Sequence, residues 1–331
     1  MPRKDGLKML WMRVHWIYTR DSNQHWIRNL ILTQGSSFSL ILIKSQHLIM
    51  RKILVLLILL GVNAFADPIE IDALSFNIRY DNPKDGDNAW PKRKDMVGNW
   101  LKAQSLDVVG LQEAKRHQID DIRKRASIYA EYGVGRDDGK KLGEHCTILY
   151  LKKRFALDKK DCGTFWLSDT PEKIASKSWG NEIPRICTWA RLIEKDSERA
   201  FYVYNVHWDH QSQPSRVRAA QLIIQRIAKR KNPKDPIILM GDFNASETNP
   251  AIIAFKEKPL KLVDTYRKVK PKEELVKTFH GFRGGSFTGG KIDHVFVLPG
   301  PASVKSAAII RYNEKGRYLS DHYPVRAKIS F

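Results

Sequence analysis

The ten residues from Pro236 to Ala245, PIILMGDFNA, constrain the fold of this 331-residue chain more than any other stretch. Four consecutive apolar residues before Gly241 are typical of a strand that is buried on both faces. Asp242 and Asn244 follow where such a strand ends, and their spacing of two places both side chains on one side of an extended backbone. The stretch therefore predicts a buried strand that presents a carboxylate and an amide to a water molecule or a divalent ion. Taken alone, it is also compatible with a polar strand-to-loop turn.

Residues 50–66 have the features of a secretory signal peptide. Two basic residues, eight apolar residues and an Ala-Phe-Ala cleavage sequence follow Met50 in that order. The apolar core is shorter than the roughly 20 residues of a membrane-spanning helix, so a cleaved signal is favoured over an uncleaved anchor. We expect Met50 to be the initiator and Asp67 the mature N-terminus. Residues 1–49 are then an over-extended start, unstructured or not translated, with a folded extension as the alternative.

The signal peptide predicts a protein exported to the periplasm or the extracellular space, without a stable membrane span after cleavage. Residues 67–331 carry 48 Lys and Arg against 34 Asp and Glu, a net charge of +14. Such a charge attracts polyanions at long range, whether nucleic acid, anionic lipid or a phosphorylated small molecule. The balance therefore favours a phosphate-bearing substrate without choosing among these classes.

The three cysteines, Cys146, Cys162 and Cys187, all lie in residues 67–331. An odd count in an exported chain leaves at least one thiol free. Because no C-x-x-C pair or Cys/His cluster is present, we expect buried small apolar side chains rather than a metal site, with one disulfide as the alternative.

The hydrophobic pattern of residues 67–331 indicates a single domain with strands and a few helices alternating irregularly, which is typical of an α/β fold with mixed sheets. Such a chain packs most simply as two sheets face to face with helices outside. Helices are predicted over 91–103, 117–126 and 214–230. Strands are predicted over 69–78, 108–111, 128–134, 146–151, 155–165, 186–193, 201–207, 236–242, 292–298, 307–312 and 325–329.

Polar residues stand at the ends of six apolar runs, and so many polar strand ends indicate that they converge on one site. The six segments are Ser75-Phe76-Asn77, Gly110-Leu111-Gln112-Glu113, Asn205-Val206-His207-Trp208-Asp209-His210, Gly241-Asp242-Phe243-Asn244, Gly290-Lys291-Ile292-Asp293-His294 and Leu319-Ser320-Asp321-His322-Tyr323-Pro324.

These motifs, in this order, resemble the endonuclease/exonuclease/phosphatase superfamily, the fold of DNase I. The resemblance covers residues 69–331, and its most specific parts are the Gly-Asp-Phe-Asn and Ser-Asp-His-x-Pro sequences. It implies a four-layer α/β sandwich of two packed mixed β-sheets flanked by helices. It also implies a metal-dependent hydrolase that acts on phosphoric ester bonds.

The resemblance implies a catalytic Mg²⁺ or Mn²⁺ with Glu113 as its main carboxylate ligand, and with Asn77 and Asp321 completing that region. A hard cation of this kind suits carboxylate and amide oxygens. Asp242 is then the candidate base for the attacking water. Asn244 is expected to orient that water and to contact the phosphate.

The remaining site residues also follow from the resemblance. His322 and Asp293 match the His–Asp pair of the family, in which the carboxylate fixes the imidazole tautomer. His207 matches a second histidine that donates to the phosphate, and Glu144 stands where a supporting carboxylate is expected. Arg185 is expected to bind a phosphate oxygen, because a guanidinium fork suits that geometry. For Arg185 and Glu144, a surface salt bridge is the alternative.

The reaction that these parts imply is hydrolysis of a phosphodiester by water without a covalent intermediate, as in a nuclease, with 3′–5′ exonuclease-like action on single-stranded nucleic acid. Motifs such as Thr278-Phe279-His280 are similar to those of an exported bacterial branch grouped with deadenylase-like proteins. A phosphatase or phospholipase-type hydrolase of a sugar, inositol or lipid phosphate is the alternative, because the same core serves both. A binder of phosphorylated ligands without catalysis is a further alternative. We expect a monomer.

Overall fold

The structure of this protein is a computed structural model that describes residues 68–331, except Ser286 and Pro301, and two strands nearer the N-terminus. Those strands, β1 (Val14–Arg20) and β2 (Trp26–Leu32), pair antiparallel within the unit 1–67. Both strands are rich in β-branched and aromatic residues, and the over-extended start expected for residues 1–49 stays a prediction. The predicted signal peptide at 50–66 lies outside the described residues.

The second unit, residues 68–331, is built of strands and short helices. Its described elements are β3 (Glu70–Asn77), a 3-10 helix (Pro83–Asn88), α1 (Trp90–Gln104), β4 (Val108–Gln112), α2 (Arg116–Arg125), β5 (Tyr129–Tyr132), β6 (Ile148–Leu151), β7 (Phe155–Trp166), β8 (Ile186–Glu194), β9 (Ala200–His207), α3 (Gln213–Ala228), β10 (Ile237–Asp242), α4 (Pro250–Lys256), β11 (Val263–Asp264), α5 (Thr265–Val269), β12 (Asp293–Val297), β13 (Ser303–Ile309), β14 (Asn313–Glu314), β15 (Arg317–Tyr318) and β16 (Val325–Ser330).

Two six-stranded mixed sheets form the centre of this unit. Their strand orders are β11-β12-β10-β9-β8-β7 and β13-β16-β3-β4-β6-β5. The pairs β9/β10 and β3/β4 are parallel, and the other pairs are antiparallel. Each sheet therefore has a parallel pair at its centre, and these pairs carry the strand ends that form the site described below.

The apolar residues of both sheets meet in one core between them, which includes Val108 from β4 and Val203 from β9. On the outer face of one sheet, Ile223 of α3 and Phe255 of α4 are buried. On the outer face of the other, Leu101 of α1 packs with residues of α2. The resulting order of helices, sheet, sheet and helices is the predicted four-layer α/β sandwich.

The two sheets approach closely near the ends of β4 and β9. A Cβ atom at Gly110 would lie 2.7 Å from Met240 Sδ and 2.8 Å from Asn205 Oδ1, so only glycine fits there. The buried Asn205 side chain donates to the Leu111 carbonyl oxygen at 2.9 Å and accepts from Gln112 Nε2 at 2.7 Å. These bonds fix one sheet against the other immediately behind the strand ends.

The predicted strands and helices of residues 68–331 are present with shifted ends, and the pattern misses the 3-10 helix, α4, β11, α5 and the β14–β15 hairpin. These elements span two to seven residues, too few for a periodic pattern to stand out. All three cysteines are free, with Cys146 and Cys187 buried and Cys162 half-buried. Among the described residues, no helix has the length and apolar character needed to cross a bilayer.

Candidate active site

The polar strand ends converge on one cleft of about 540 Å³. In the sheet register, Asp242 at the end of β10 lies beside His207 at the end of β9 and beside Asp293 at the start of β12. Of the ten predicted site residues, eight line the cleft: Glu113, Glu144, Arg185, His207, Asp242, Asn244, Asp321 and His322. The other two, Asn77 and Asp293, hydrogen-bond to residues of that lining.

Asn77 joins the two central carboxylates of the cleft. Its Nδ2 donates to Glu113 Oε1 at 3.0 Å and to Asp242 Oδ2 at 2.9 Å. Glu113 follows β4 with a φ of 60°, a left-handed backbone that turns its side chain out of the strand. Its Oε2 accepts from the Tyr80 backbone N–H at 3.1 Å. The amide therefore separates two carboxylates that would otherwise repel each other.

His322 and Asp293 form a buried pair. His322 Nδ1 lies 2.8 Å from Asp293 Oδ2, and its Nε2 lies 3.8 Å from Asp242 Oδ2. Because a carboxylate oxygen accepts, His322 Nδ1 carries the proton. Burial by itself lowers the pKa of His322, but the Asp293 and Asp242 carboxylates outweigh it and hold that pKa well above its usual range. Burial, followed by the charge of Asp293, raises the pKa of Asp242 to about 7.

Arg185, His207 and His210 form a second cluster of the cleft lining, which we call the cationic end, and it adjoins Asp242, since His207 Nε2 lies 3.7 Å from Asp242 Oδ2. The Arg185 side chain is almost fully buried, and its Nη1 donates to His207 Nε2 at 3.1 Å while Nη2 donates to His210 Nδ1 at 2.8 Å. Asp209 Oδ2 lies 3.5 Å from Arg185 Nε. Burial, together with the charges of Arg185 and Arg136, lowers the pKa of His207 well below its usual range. His207 is therefore a neutral imidazole whose Nε2 accepts from arginine.

Glu144 supports this arginine-rich end. Its two oxygens accept from Arg136 Nη1 and Nη2 at 2.7 and 2.9 Å, and its Oε2 lies 3.8 Å from His207 Nδ1. Burial raises the pKa of Glu144, and Arg136 opposes that shift. Both Glu144 and Arg185 line the cleft, and each also takes part in an ion pair, Glu144 with Arg136 and Arg185 with Asp209.

Asn244 and Asp321 are the remaining two predicted site residues that line the cleft. The Asn244 backbone N–H donates to Asp242 Oδ1 at 2.9 Å, and its Nδ2 donates to the Trp208 carbonyl oxygen at 3.0 Å. Asp321 Oδ1 accepts from Ser320 Oγ at 3.1 Å, and its Oδ2 lies 3.7 Å from Arg79 Nε. Burial raises the pKa of Asp321.

Two groups of side chains could hold a divalent cation. Glu113, His207 and Asp242 form one, and Asp242, Asp293 and His322 form the other, with ligand atoms in each group within 4.8 Å of one another. Carboxylate oxygens predominate, which suits a hard cation. Asp293 Oδ1 is also buried without a hydrogen-bond partner among the described residues, as expected of an oxygen that awaits a ligand. The donor set therefore fits a metal, and both groups contain Asp242.

Sequence reasoning assigned no role to several residues that shape the cleft. Arg79, Tyr80, His210 and Phe279 also line it; the first two follow Asn77 by two and three residues, and the other two are members of quoted motifs. Proximity in sequence to those motifs was the available signal. The buried Arg93, which donates to carbonyl oxygens of both Ile78 and Leu319 and so joins two site-bearing segments, lies in a helix without such a signal.

A two-sheet sandwich whose strand ends present carboxylates, imidazoles and a buried arginine defines a hydrolase of phosphoric esters. The chain belongs to the Endonuclease/Exonuclease/phosphatase family, whose model matches residues 74–322. Members of this family are phosphoesterase hydrolases, including a phosphatase and nucleases. The fold, family and enzyme class expected from the sequence are thereby confirmed.

Among solved structures, this chain is similar to a mannosyl-6-phosphatase of Bacteroides thetaiotaomicron. The two are 34% identical with a TM-score of 0.72, over 79% of this chain and 100% of that chain. Among curated proteins, an uncharacterized protein of Acanthamoeba polyphaga mimivirus is 29% identical over 171 residues, and the probable RNA exonuclease NGL3 of Saccharomyces cerevisiae is 26% identical over 188 residues. The matches span 48% and 52% of this chain, but only 60% and 35% of those two relatives.

Proposed function

We propose that this protein is a divalent-metal-dependent phosphomonoesterase of a small phosphorylated molecule, with a sugar phosphate as the substrate class. The observation that carries the reaction is the presence in one cleft of an acidic end, formed by Asp242, Asp293 and His322, and of a cationic end, where the buried Arg185 contacts the neutral His207. Such an arrangement suits a phosphate that lies between a base and fixed positive charge.

The residues of the cleft support distinct parts of this reaction. Arg185 donates one N–H of Nη1 to His207 and one of Nη2 to His210, and the second hydrogen on each nitrogen suits a non-bridging phosphate oxygen. Asp242, whose pKa is raised to about 7, is suited to take a proton from the attacking water near neutral pH. His322, held by Asp293, brings positive charge close to Asp242 and to the phosphate.

Within these two groups the carboxylates of Glu113, Asp242 and Asp293 would hold the divalent cation, because His207 Nε2 accepts from Arg185 and His322 is cationic, so neither imidazole offers a free lone pair. When bound, such a cation withdraws charge from phosphate oxygens and lowers the pKa of water. Mg²⁺ is our first choice and Mn²⁺ the second, because both prefer oxygen ligands.

A small substrate is supported by the extent of the cleft and by the similarity to a mannosyl-6-phosphatase over that protein's full length. The phosphodiesterase favoured by sequence alone is the second candidate. It is supported by the +14 charge of residues 67–331 and by the similarity to a probable RNA exonuclease. We also propose export to the periplasm or beyond, as a monomer.

The test is hydrolysis by residues 67–331 of mannose 6-phosphate, p-nitrophenyl phosphate, bis(p-nitrophenyl) phosphate and single-stranded RNA, each with Mg²⁺, Mn²⁺ or EDTA. Asp242→Ala protein purified in parallel controls for contaminating enzymes. We expect metal-dependent release of phosphate from the monoesters and none from the variant. Preference for the diester or RNA would favour the second candidate, and tight binding without turnover would favour a phosphate-ligand binder.

A further inference from the structure

A buried ionic network lies beside the cleft and does not line it. Lys291 is fully buried, and its Nζ lies 2.7 Å from Asp264 Oδ2 and 2.6 Å from His294 Nδ1. Glu247 Oε1 lies 3.5 Å from the same nitrogen. Burial of an ammonium group is costly even when it is paired, and an apolar side chain of similar volume often packs at lower cost. Stability alone therefore does not explain why a buried lysine occupies position 291.

One carbonyl group fixes the hydrogen-bond direction at Nε2 of His294. His294 Nε2 lies 3.1 Å from the Ala245 carbonyl oxygen, which can only accept, so Nε2 carries the proton. In a neutral imidazole Nδ1 is then an acceptor that lies 3.1 Å from another acceptor, Asp264 Oδ2, and the Lys291 ammonium group donates to both. Burial and the charge of Lys291 lower the pKa of His294, consistent with the neutral form.

The network connects two segments that carry site residues. His294 holds the carbonyl group of Ala245, which directly follows Asn244. The Phe243 backbone N–H donates to the Ile292 carbonyl oxygen at 2.9 Å, between Lys291 and Asp293. The segment before Asp293 and the loop after Asp242 are thus held together from the side away from the cleft.

Two acidic residues of the network also bind Arg267 in α5. Asp264 Oδ1 accepts from the Arg267 backbone N–H at 3.2 Å and so caps α5. Glu247, which approaches Lys291, accepts from Arg267 Nε at 2.8 Å and Nη2 at 2.7 Å. Lys291 therefore connects the segment that carries Asp293 to the start of α5 and to the Glu247–Arg267 ion pair.

We propose that Lys291 is a positioning residue that sets the location of Asp293, and through it of His322, relative to Asp242 and Asn244. Lys291 does not line the cleft, so it acts through these residues and not on the substrate. This inference rests on the proposed phosphoesterase function, which the same assays test separately through wild-type turnover.

The primary variant is Lys291→Met, which keeps the length of the side chain and removes its charge and donors. We expect kcat to fall roughly tenfold to a hundredfold, the usual cost of a small displacement of catalytic groups. We expect KM to change by less than about threefold, because the binding end around Arg185 is built on other strands. In the Asp293→Asn background, Lys291→Met should cause no further loss, since both changes act through Asp293.

A double variant tests whether Lys291 acts by holding His294 in place or by its positive charge. In Lys291→Met/Asp264→Asn, the new amide keeps its oxygen for the cap of α5 and offers its nitrogen to His294 Nδ1. This double variant should recover part of the kcat that Lys291→Met loses. Arg191→Met is the matched control, because Arg191 pairs with Asp158 and Asp235 outside the cleft and its loss should lower thermal stability with kcat unchanged.

A readout independent of activity is the NMR signal of the His322 Nδ1 proton, which lies in the bond to Asp293. It should shift in Lys291→Met and return toward its wild-type position in the double variant.

If Lys291→Met does not fold, Asp264→Asn takes its place in both measurements. A folded variant with wild-type kcat and an unmoved His322 signal would overturn the proposal, as would a loss of kcat that adds fully to that of Asp293→Asn. Absence of wild-type turnover would instead count against the phosphoesterase function, and the NMR measurement would still decide the role of Lys291.

Discussion

His322 and His207 are equally buried and both approach Asp242 Oδ2, with their Nε2 atoms 3.8 and 3.7 Å away, yet their pKa values shift in opposite directions. Burial disfavours the charged form of both. At the acidic end the carboxylates of Asp293 and Asp242 outweigh burial, whereas at the cationic end Arg185 adds to it. The neighbours of each ring therefore decide its charge, and the cleft offers a cationic imidazole at one end and a neutral one at the other.

This difference assigns separate roles in catalysis and in binding to the two ends of the cleft. The acidic end holds the candidate base, Asp242, with a pKa of about 7, and both groups of side chains that fit a metal include that residue. The cationic end holds the buried Arg185, whose donors suit a phosphate. Substitutions at the acidic end should therefore affect turnover, and those at the cationic end should affect binding.

The largest effect is expected for Asp242→Asn, which keeps the shape of the side chain but removes the proton acceptor. We expect kcat to fall by about 10³-fold or more, with a much smaller change in KM. Steady-state kinetics with the best monoester, together with the inhibition constant of inorganic phosphate, measure the two quantities. A variant that retains kcat but loses phosphate binding would reverse the assignment of the two ends.

An intermediate effect is expected for Arg185→Met, which removes the guanidinium but keeps much of the buried volume. Loss of charge-assisted bonds to the phosphate should raise KM about tenfold to a hundredfold, with a smaller fall in kcat. The same kinetics check this result, and Arg185→Lys tests geometry, because a point charge lacks the planar fork. If kcat alone changes, Arg185 does not bind the ground-state phosphate.

The smallest effect is expected for Glu144→Gln. The amide loses the charge that faces Arg136, and it can keep only one of the two bonds to that guanidinium. We expect kcat/KM to fall by less than about tenfold, because Glu144 acts through Arg136 and His207. A fall as large as that of Asp242→Asn would show that Glu144 takes part in the chemistry directly.

The sequence is most informative at strand ends and least informative about contacts distant in the chain. Asp242 and Asn244 are recognisable because a run of four buried apolar residues ends beside them, and the ten predicted side chains all lie in or against the cleft. By contrast, the opposite shifts of His207 and His322 depend on Arg185 and Asp293, which only the fold brings to them.

The same limit explains what the sequence misses elsewhere. The Lys291 network joins Glu247, Asp264 and His294, and no local pattern links these three residues. Arg93 similarly joins two segments from within an ordinary helix. Short elements such as α4 and α5 are held by caps and packing and carry little periodic signal.

The most direct test of this account is an NMR pH titration of His207 and His322 in metal-free protein labelled with ¹⁵N-histidine, assigned with His207→Gln and His322→Gln. We predict that His322 stays cationic as the pH rises through its usual pKa of 6.5, while His207 is already neutral below that pH with its proton on Nδ1. Titration of His207 above 6.5, or of His322 below it, would contradict the division of the cleft into two ends of opposite charge.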